Sequence, residues 1–398
     1  TGGTNTAIGS LSGQYNQTGS QNTYVGYASG LGVANNSHST NTAVGYFTLK
    51  DVTTGGANTV IGCFAGDAVT TQDSLTLVGK NAGGAINNNG ANGTVAVGES
   101  ALNTLTSGAG NIAVGYQSLA SNATGANNLM IGYQAAVSAN DANFSHNIGI
   151  GNYVFDGVAS GIDAQYNTAI GYASMSGVLT DTAHGNTAVG KDTLLALTSG
   201  SSNTAVGASS LVNVKTGEGN VAIGKQAMED ANFGESHNIA IGNGAMLDLN
   251  EGSHASATAD YNIAIGYQAL KSGAFSGVDV DLEYNIAIGS EALWSTAANS
   301  HTGTIAIGRQ ALKLVTSGSG NLGIGHLSGL NITTGADNLG VGERTLGGSS
   351  STAITGDANT AVGWRAGTSL EGAAAYNTIL GKNAGYAMTT GSSNTILG

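Results

Sequence analysis

The 398-residue chain contains no proline, one cysteine, and few charges: only 9% of its residues are Asp, Glu, Lys or Arg. Each shortage excludes something. Glycine is abundant, at 65 residues, but glycine without proline is not collagen. A chain that is 40% apolar and this poor in charge lacks the composition of a disordered segment. Cys63 alone provides neither a disulfide framework nor a thiolate metal site. Eleven bases against 24 acids give a net charge of −13 and no phosphate-binding stripe, so nucleic acid is not an expected partner. No apolar run reaches membrane-span length and no signal peptide opens the chain, so membrane insertion is not expected either. The missing proline fits a chain laddered on both sides, since each proline would delete a backbone donor.

What is present is a repeat. The string N-T-A-[IV]-G, or a close variant, recurs 22 times, from the copy ending at Gly9 to the one ending at Gly398. Ten of the 21 intervals are 17 residues; the longest, 24 and 23, end at Gly266 and Gly289, so no gap holds another domain. Residues 1–398 are therefore expected to form one array. Asn stands four places before the glycine in 19 of the 22 copies, the exceptions being Leu75, Thr94 and Thr304. Asn5, Asn111 and Asn262, with Gly9, Gly115 and Gly266, are expected as turn and ladder residues, stacked asparagines bonding from rung to rung.

Seventeen residues are too few for a βαβ unit but suit two short strands and two corners. One unit cannot bury a face alone, so units must stack. The expected fold is all-β: a parallel β-solenoid of about 22 rungs, roughly 100 Å long at a rung spacing of about 4.8 Å. Ile, Val, Leu or Thr flank the central residue of each strand and are expected inside the coil. Ser118-Leu119, Ala227-Met228, Ala269-Leu270 and Ala311-Leu312 mark an expected second half-strand. The central residue is Ala or Gly in 16 of 22 copies. It is expected to face outward, where a small, uncharged column suggests contact with another chain.

Asn262-Ile263-Ala264-Ile265-Gly266-Tyr267-Gln268-Ala269-Leu270 and Asn111-Ile112-Ala113-Val114-Gly115-Tyr116-Gln117-Ser118-Leu119 resemble the shaft repeats of phage tail fibres and related virion fibres. They are also similar to the head repeats of YadA-like trimeric autotransporter adhesins. The resemblance covers essentially the whole chain. It implies a homotrimer of left-handed β-rolls with an adhesive or spacing role outside a cell or on a virion. The adhesin heads have shorter rungs, and neither a membrane-anchor barrel nor an intramolecular chaperone is visible here. A start eight residues before Gly9 and an end on Gly398, without caps, suggest part of something longer.

The long inserts 247–261 and 271–284 lie on successive rungs and are the candidate recognition loops, with Asp248, Glu251, His254, Asp260, Tyr261, Phe275, Asp279 and Asp281 as candidate contacts for a host-surface glycan or protein receptor. Asp279, Asp281 and Glu283 alternate and form a candidate Ca²⁺ set, weighed against a solvated acidic face. Asp260 with Asp281 could reach the spacing of a polysaccharide-cleaving carboxylate pair across the adjacent inserts, but nothing else marks them as catalytic and 17-residue rungs leave little wall for a sugar cleft. His38, His146, His184, His237 and His301 fall near the repeat asparagine. They read as a metal site between chains or, in preference, as rings covering widened corners. Tyr27, Tyr46, Tyr116, Tyr133, Tyr172 and Tyr267 share one column with Lys80, Glu99, Lys191 and Glu343, which reads as a mixed exterior. Cys63 shares that column and reads as a plain thiol. A Thr ladder raises an ice-binding rod, set aside because that column is expected to point inward. The expectation is a non-enzymatic fibre or adhesin shaft without cofactors, its rivals a glycan-binding or glycan-cleaving tailspike and an extracellular filament or ice-binding rod.

Overall fold

A computed structural model describes residues 2–140, 142–159, 161–180, 183–231, 234–248, 259–271, 281–294, 301–347 and 352–398. The chain is an all-β parallel solenoid of about 20 turns, each of about 18 residues. It divides into two compact units, residues 1–201 and 202–398. Each unit holds eleven three-residue strands of the main sheet, from Thr6–Ile8 to Thr187–Val189 and from Thr204–Val206 to Thr395–Leu397.

Within each unit the strands pair in parallel and in register. Ile112, Ala113 and Val114 sit opposite Leu129, Met130 and Ile131; Ile263, Ala264 and Ile265 sit opposite Ile286, Ala287 and Ile288. The asparagine column fixes this register. Asn111 Oδ1 accepts from the backbone N–H of Asn128 at 3.1 Å and from its Nδ2 at 3.2 Å. Asn111 Nδ2 reaches forward to the Gly125 carbonyl at 2.7 Å. Asn5 and Asn262 bond in the same way, to Gly19 and Leu282 respectively. The buried amide is thereby satisfied on both sides, which it must be in a core this thin.

The strand faces are the reverse of those expected. The central residue points into the coil: Ala43, Ala113, Ala188 and Ala264 are fully buried. The flanking residues face out, and Ile61, Ile112, Ile131, Ile170, Ile223 and Ile265 are exposed. The reason is volume. A turn this short has room for a small residue on the strand, because the space opposite is filled by Leu or Met four places after the repeat glycine and by Val, Ile or Leu seven places after it. Leu49 and Val52, Leu119, Met228, and Leu312 with Val315 are all fully buried. Where the central residue is large, the residue four places after the repeat glycine shrinks. Tyr24, Val60, Leu77 and Ile379 are matched by Gly30, Gly66, Gly83 and Gly385. A Cβ on Gly83 would stand 2.8 Å from Leu77.

The expected second half-strand is not extended either. Gln117 and Leu119 have φ of 53° and 50°, as do Gln268 and Leu270 at 49° and 48°. Left-handed backbone at alternate positions bends the chain and aims successive N–H groups at different neighbours. The Gln117 N–H reaches back to the Glu99 carbonyl at 3.0 Å, and the Leu119 N–H forward to Ala135 at 2.9 Å. Left-handed conformation costs about 1–2 kcal/mol per residue. Here it is offset by inter-rung bonding and by burial of Leu119 or Leu270. The repeat glycine closes the corner with φ near 138° at Gly266, where a Cβ would stand 2.6 Å from the Gly289 carbonyl carbon. No side chain fits that approach.

Candidate recognition surface

The two long inserts rise from neighbouring rungs, and their described ends are tied together. At the departing side Lys271 Nζ lies 3.5 Å from Asp248 Oδ2. At the returning side the rings of Tyr261 and Tyr284 stack at 5.3 Å and 4°. His237 continues the stack one rung earlier, 5.1 Å from Tyr261. His146 and Tyr166 repeat the arrangement at 5.1 Å in the other unit. These residues immediately precede the asparagine or its equivalent and all have φ near 60°. Their column is exposed, and the ring faces meet at about the rung spacing. Stacked pairs of this kind contribute about 0.5–1.5 kcal/mol beyond the area they bury.

Asp260 belongs to a second column that the sequence reading did not find. Six places before several of the repeat glycines, a short polar side chain accepts from the backbone N–H of the same position one rung earlier. Ser39 Oγ accepts from Ser20 at 3.0 Å, Asp73 from Gly56 at 2.6 Å, and Asp357 from Ala336 at 2.8 Å. Asp260 Oδ1 accepts from the Ser236 N–H at 2.6 Å. Burial raises its carboxyl above the ordinary aspartate range, partly opposed by this hydrogen bond. Asp260 therefore has a structural task shared with Ser and Asp residues along the chain, which is no signature of a catalytic pair with Asp281. The only sequence signal was the recurrence of Ser, Asp or Asn at that place.

The remaining candidates separate. Glu251, His254, Phe275 and Asp279 lie outside the described residues; Asp281 and Glu283 lie within them. Among the described residues, no three of His, Cys, Asp and Glu are grouped to hold a metal. His38 and His301 are not surface rings at all: both are buried within the coil. Burial lowers each imidazole to about 4, below its usual value near 6.5. His38 Nδ1 meets the Tyr24 hydroxyl at 2.7 Å, and His301 Nδ1 meets Asn285 Oδ1 at 3.3 Å. His184 Nε2 lies 3.5 Å from Asp163.

The column after the repeat glycine is exposed and mixed. Tyr27 and Tyr46 stack at 5.5 Å and Tyr116 and Tyr133 at 5.2 Å, with Lys80 and Glu99 paired at 3.1 Å between them. Cys63 is half-buried in the same column, with its thiol free. No protein-family model and no curated protein matches the chain.

Proposed function

We propose that the chain is a non-catalytic structural shaft, trimeric by self-association, that spaces or attaches a virion or cell to a surface. The observation that carries this reading is the outward apolar face. Val221, Ile239, Ile263, Ile286, Ile305, Leu322 and Leu339 occupy the outward place two before each glycine's neighbour, and Ile223, Ile265 and Ile288 form the parallel column beside them. A contiguous stripe of half-buried to exposed Val, Ile and Leu side chains on a regular sheet marks a contact surface. Supporting copies of the same stripe would cover it without needing a different partner. The alanine column, being interior, is not that contact.

The test is mass in solution. Light scattering should give three times the 39.1 kDa chain. Ile265→Lys with Ile241→Lys, placing charges on the outward face, should release folded monomers. A wild-type monomer, or a trimer indifferent to both lysines, overturns the reading. A specific observation also revives the ice-binding rod: Thr23, Thr42, Thr59 and Thr76 stand on the outward face of adjacent strands. Thermal hysteresis of the purified protein, lost with Thr42→Leu and Thr59→Leu, would favour that rod over the shaft.

A further inference from the structure

The cations of this chain are unevenly placed. Residues 1–308 hold six bases against twenty acids, whereas residues 309–398 hold five bases against four. All three arginines, Arg309, Arg344 and Arg365, lie in that last stretch. Lysines meet carboxylates: Lys50 with Asp51 at 2.7 Å, Lys191 with Asp192 at 2.8 Å, and, within the last stretch, Lys313 with Glu291. Among the described residues, neither Arg344 nor Arg365 forms such an ion pair.

Both arginines occupy the second place after the repeat glycine, on successive rungs. Their backbones are about 4.8 Å apart by the rung spacing. Two cationic side chains on one cavity repel each other and favour an anion there. They line a cavity of about 250 Å³ with Leu327, Leu330, Thr368 and Tyr386. A second cavity, sharing Arg365 and Tyr386, opens beside it toward Trp364 and Asn383. Trp364 holds the cations in place: the Arg365 guanidinium carbon lies 4.5 Å and Lys382 Nζ 5.3 Å from its ring. Tyr386 is exposed and lines both cavities, leaving an aromatic face at their shared edge.

We infer that this cleft binds an acidic saccharide, its carboxylate between Arg344 and Arg365 and its sugar ring against Tyr386. Guanidinium forks match carboxylate geometry, and an aromatic face matches the C–H face of a pyranose. The cavity falls below the 300–1,000 Å³ or so of drug-sized sites, which suits one ring of a chain that continues over the surface. A linear polyanion without rings would leave Tyr386 unused. The inference rests on the attachment reading for its biological sense, but the two fail separately: titration reads the cleft, and solution mass reads the shaft.

The test is calorimetric titration of the full chain with trigalacturonate, its methyl ester, and a hexaglutamate peptide. Trigalacturonate should bind; the ester, with the same rings and no charge, should bind at least tenfold more weakly. Arg344→Gln and Arg365→Gln should each weaken binding at least tenfold, and Tyr386→Ala about fivefold. Gln is already the residue of this column at Gln117, Gln134, Gln226, Gln268 and Gln310, so both variants retain a side chain the coil accepts. An unchanged melting temperature confirms it. Absence of trigalacturonate binding, equal binding of the ester, tighter binding of hexaglutamate, or indifference to both Gln variants overturns the inference.

Discussion

The two units obey the same interior rule and differ outside. In residues 1–201 the outward residue that opens each strand is Thr in seven of eleven strands, including the five consecutive ones from Thr6–Ile8 to Thr76–Val78. In residues 202–398 it is Val, Ile or Leu in seven consecutive strands, from Val221–Ile223 to Leu339–Val341. The first unit stacks aromatic rings after its repeat glycines; the second carries all the arginines there. Inward, both hold buried Asn, small central residues and the same left-handed corner. The interior of a thin coil allows few solutions, because each side chain meets its own equivalents one rung above and below. The exterior has no such constraint, so the chemistry that distinguishes one stretch from another is carried there.

If interior volume alone sets the pattern, a large-small rung can be converted to a small-large one. Leu77 with Gly83 is the large-small version; Ala264 with Leu270 is the small-large one. Leu77→Ala should cost about 2–5 kcal/mol through the cavity it leaves. Gly83→Leu should cost about 1–3 kcal/mol or more by overpacking against Leu77 and Ile86, which a Cβ would meet at 2.8 and 2.9 Å. Left-handed backbone is no obstacle, since Leu102 holds the equivalent place at φ 49°. The double variant should recover about 2 kcal/mol relative to the sum of the singles, read by denaturant unfolding. Simple additivity would break the volume rule.

Each unit also buries one histidine at the same place, seven before a repeat glycine: His38 and His301. Both fold with an imidazole lowered to about 4 by burial, against about 6.5 when unfolded. The unfolded chain therefore binds more protons between these values. The stability each neutral ring allows is fully present above pH 6.5 and is lost as pH falls toward 4. The shift corresponds to about 3 kcal/mol per histidine at most. Unfolding measured from pH 7 to 4 should show this loss, and His301→Gln should flatten it for residues 202–398 while leaving residues 1–201 acid-sensitive through His38. Equal acid sensitivity with and without His301 would show that carboxylates dominate instead.

The solenoid, the repeat boundaries and the asparagine ladder were legible because spacing and recurrence report them directly. Facing was not. Alternation in a three-residue strand shows that Ala264 and Ile265 point opposite ways, but it cannot say which way is in. Hydrophobicity argued for Ile265; the buried Leu270 opposite decided for Ala264. The trade between Leu77 and Gly83 contained that answer in the sequence. The left-handed corner was hidden because Leu, Met and Gln are residues that ordinarily avoid positive φ. The second polar column, which holds Asp260, was obscured by its mixture of Ser, Asp, Asn and non-bonding residues. As for the inserts, their ends show how Asp248, Asp260, Tyr261 and Tyr284 are held, by contacts between rungs that no single repeat displays.

The smallest effect tests the ladder where each unit breaks it. Thr94 and Thr304 replace the repeat asparagine, and the buried hydroxyl of each lacks a partner among the described residues. Their surroundings differ. At Thr304 the neighbouring Asn285 Oδ1 still accepts from the Thr304 N–H at 3.0 Å and meets His301 Nδ1 at 3.3 Å, so the histidine supplies a contact in place of the missing amide. At Thr94 the preceding rung carries Leu75, which offers no acceptor, and the ladder is interrupted for two rungs. Thr304→Asn should restore a donor to Asn285 and an acceptor to Asn321, stabilising by about 1 kcal/mol. Thr94→Asn gains only the acceptor toward Asn111 and should stabilise by less, unless Leu75→Asn is added to complete the run from Asn58. Thermal melts of these three variants order the effects: if Thr94→Asn alone matches Thr304→Asn, the amide acts locally and the ladder has no dependence on its continuity.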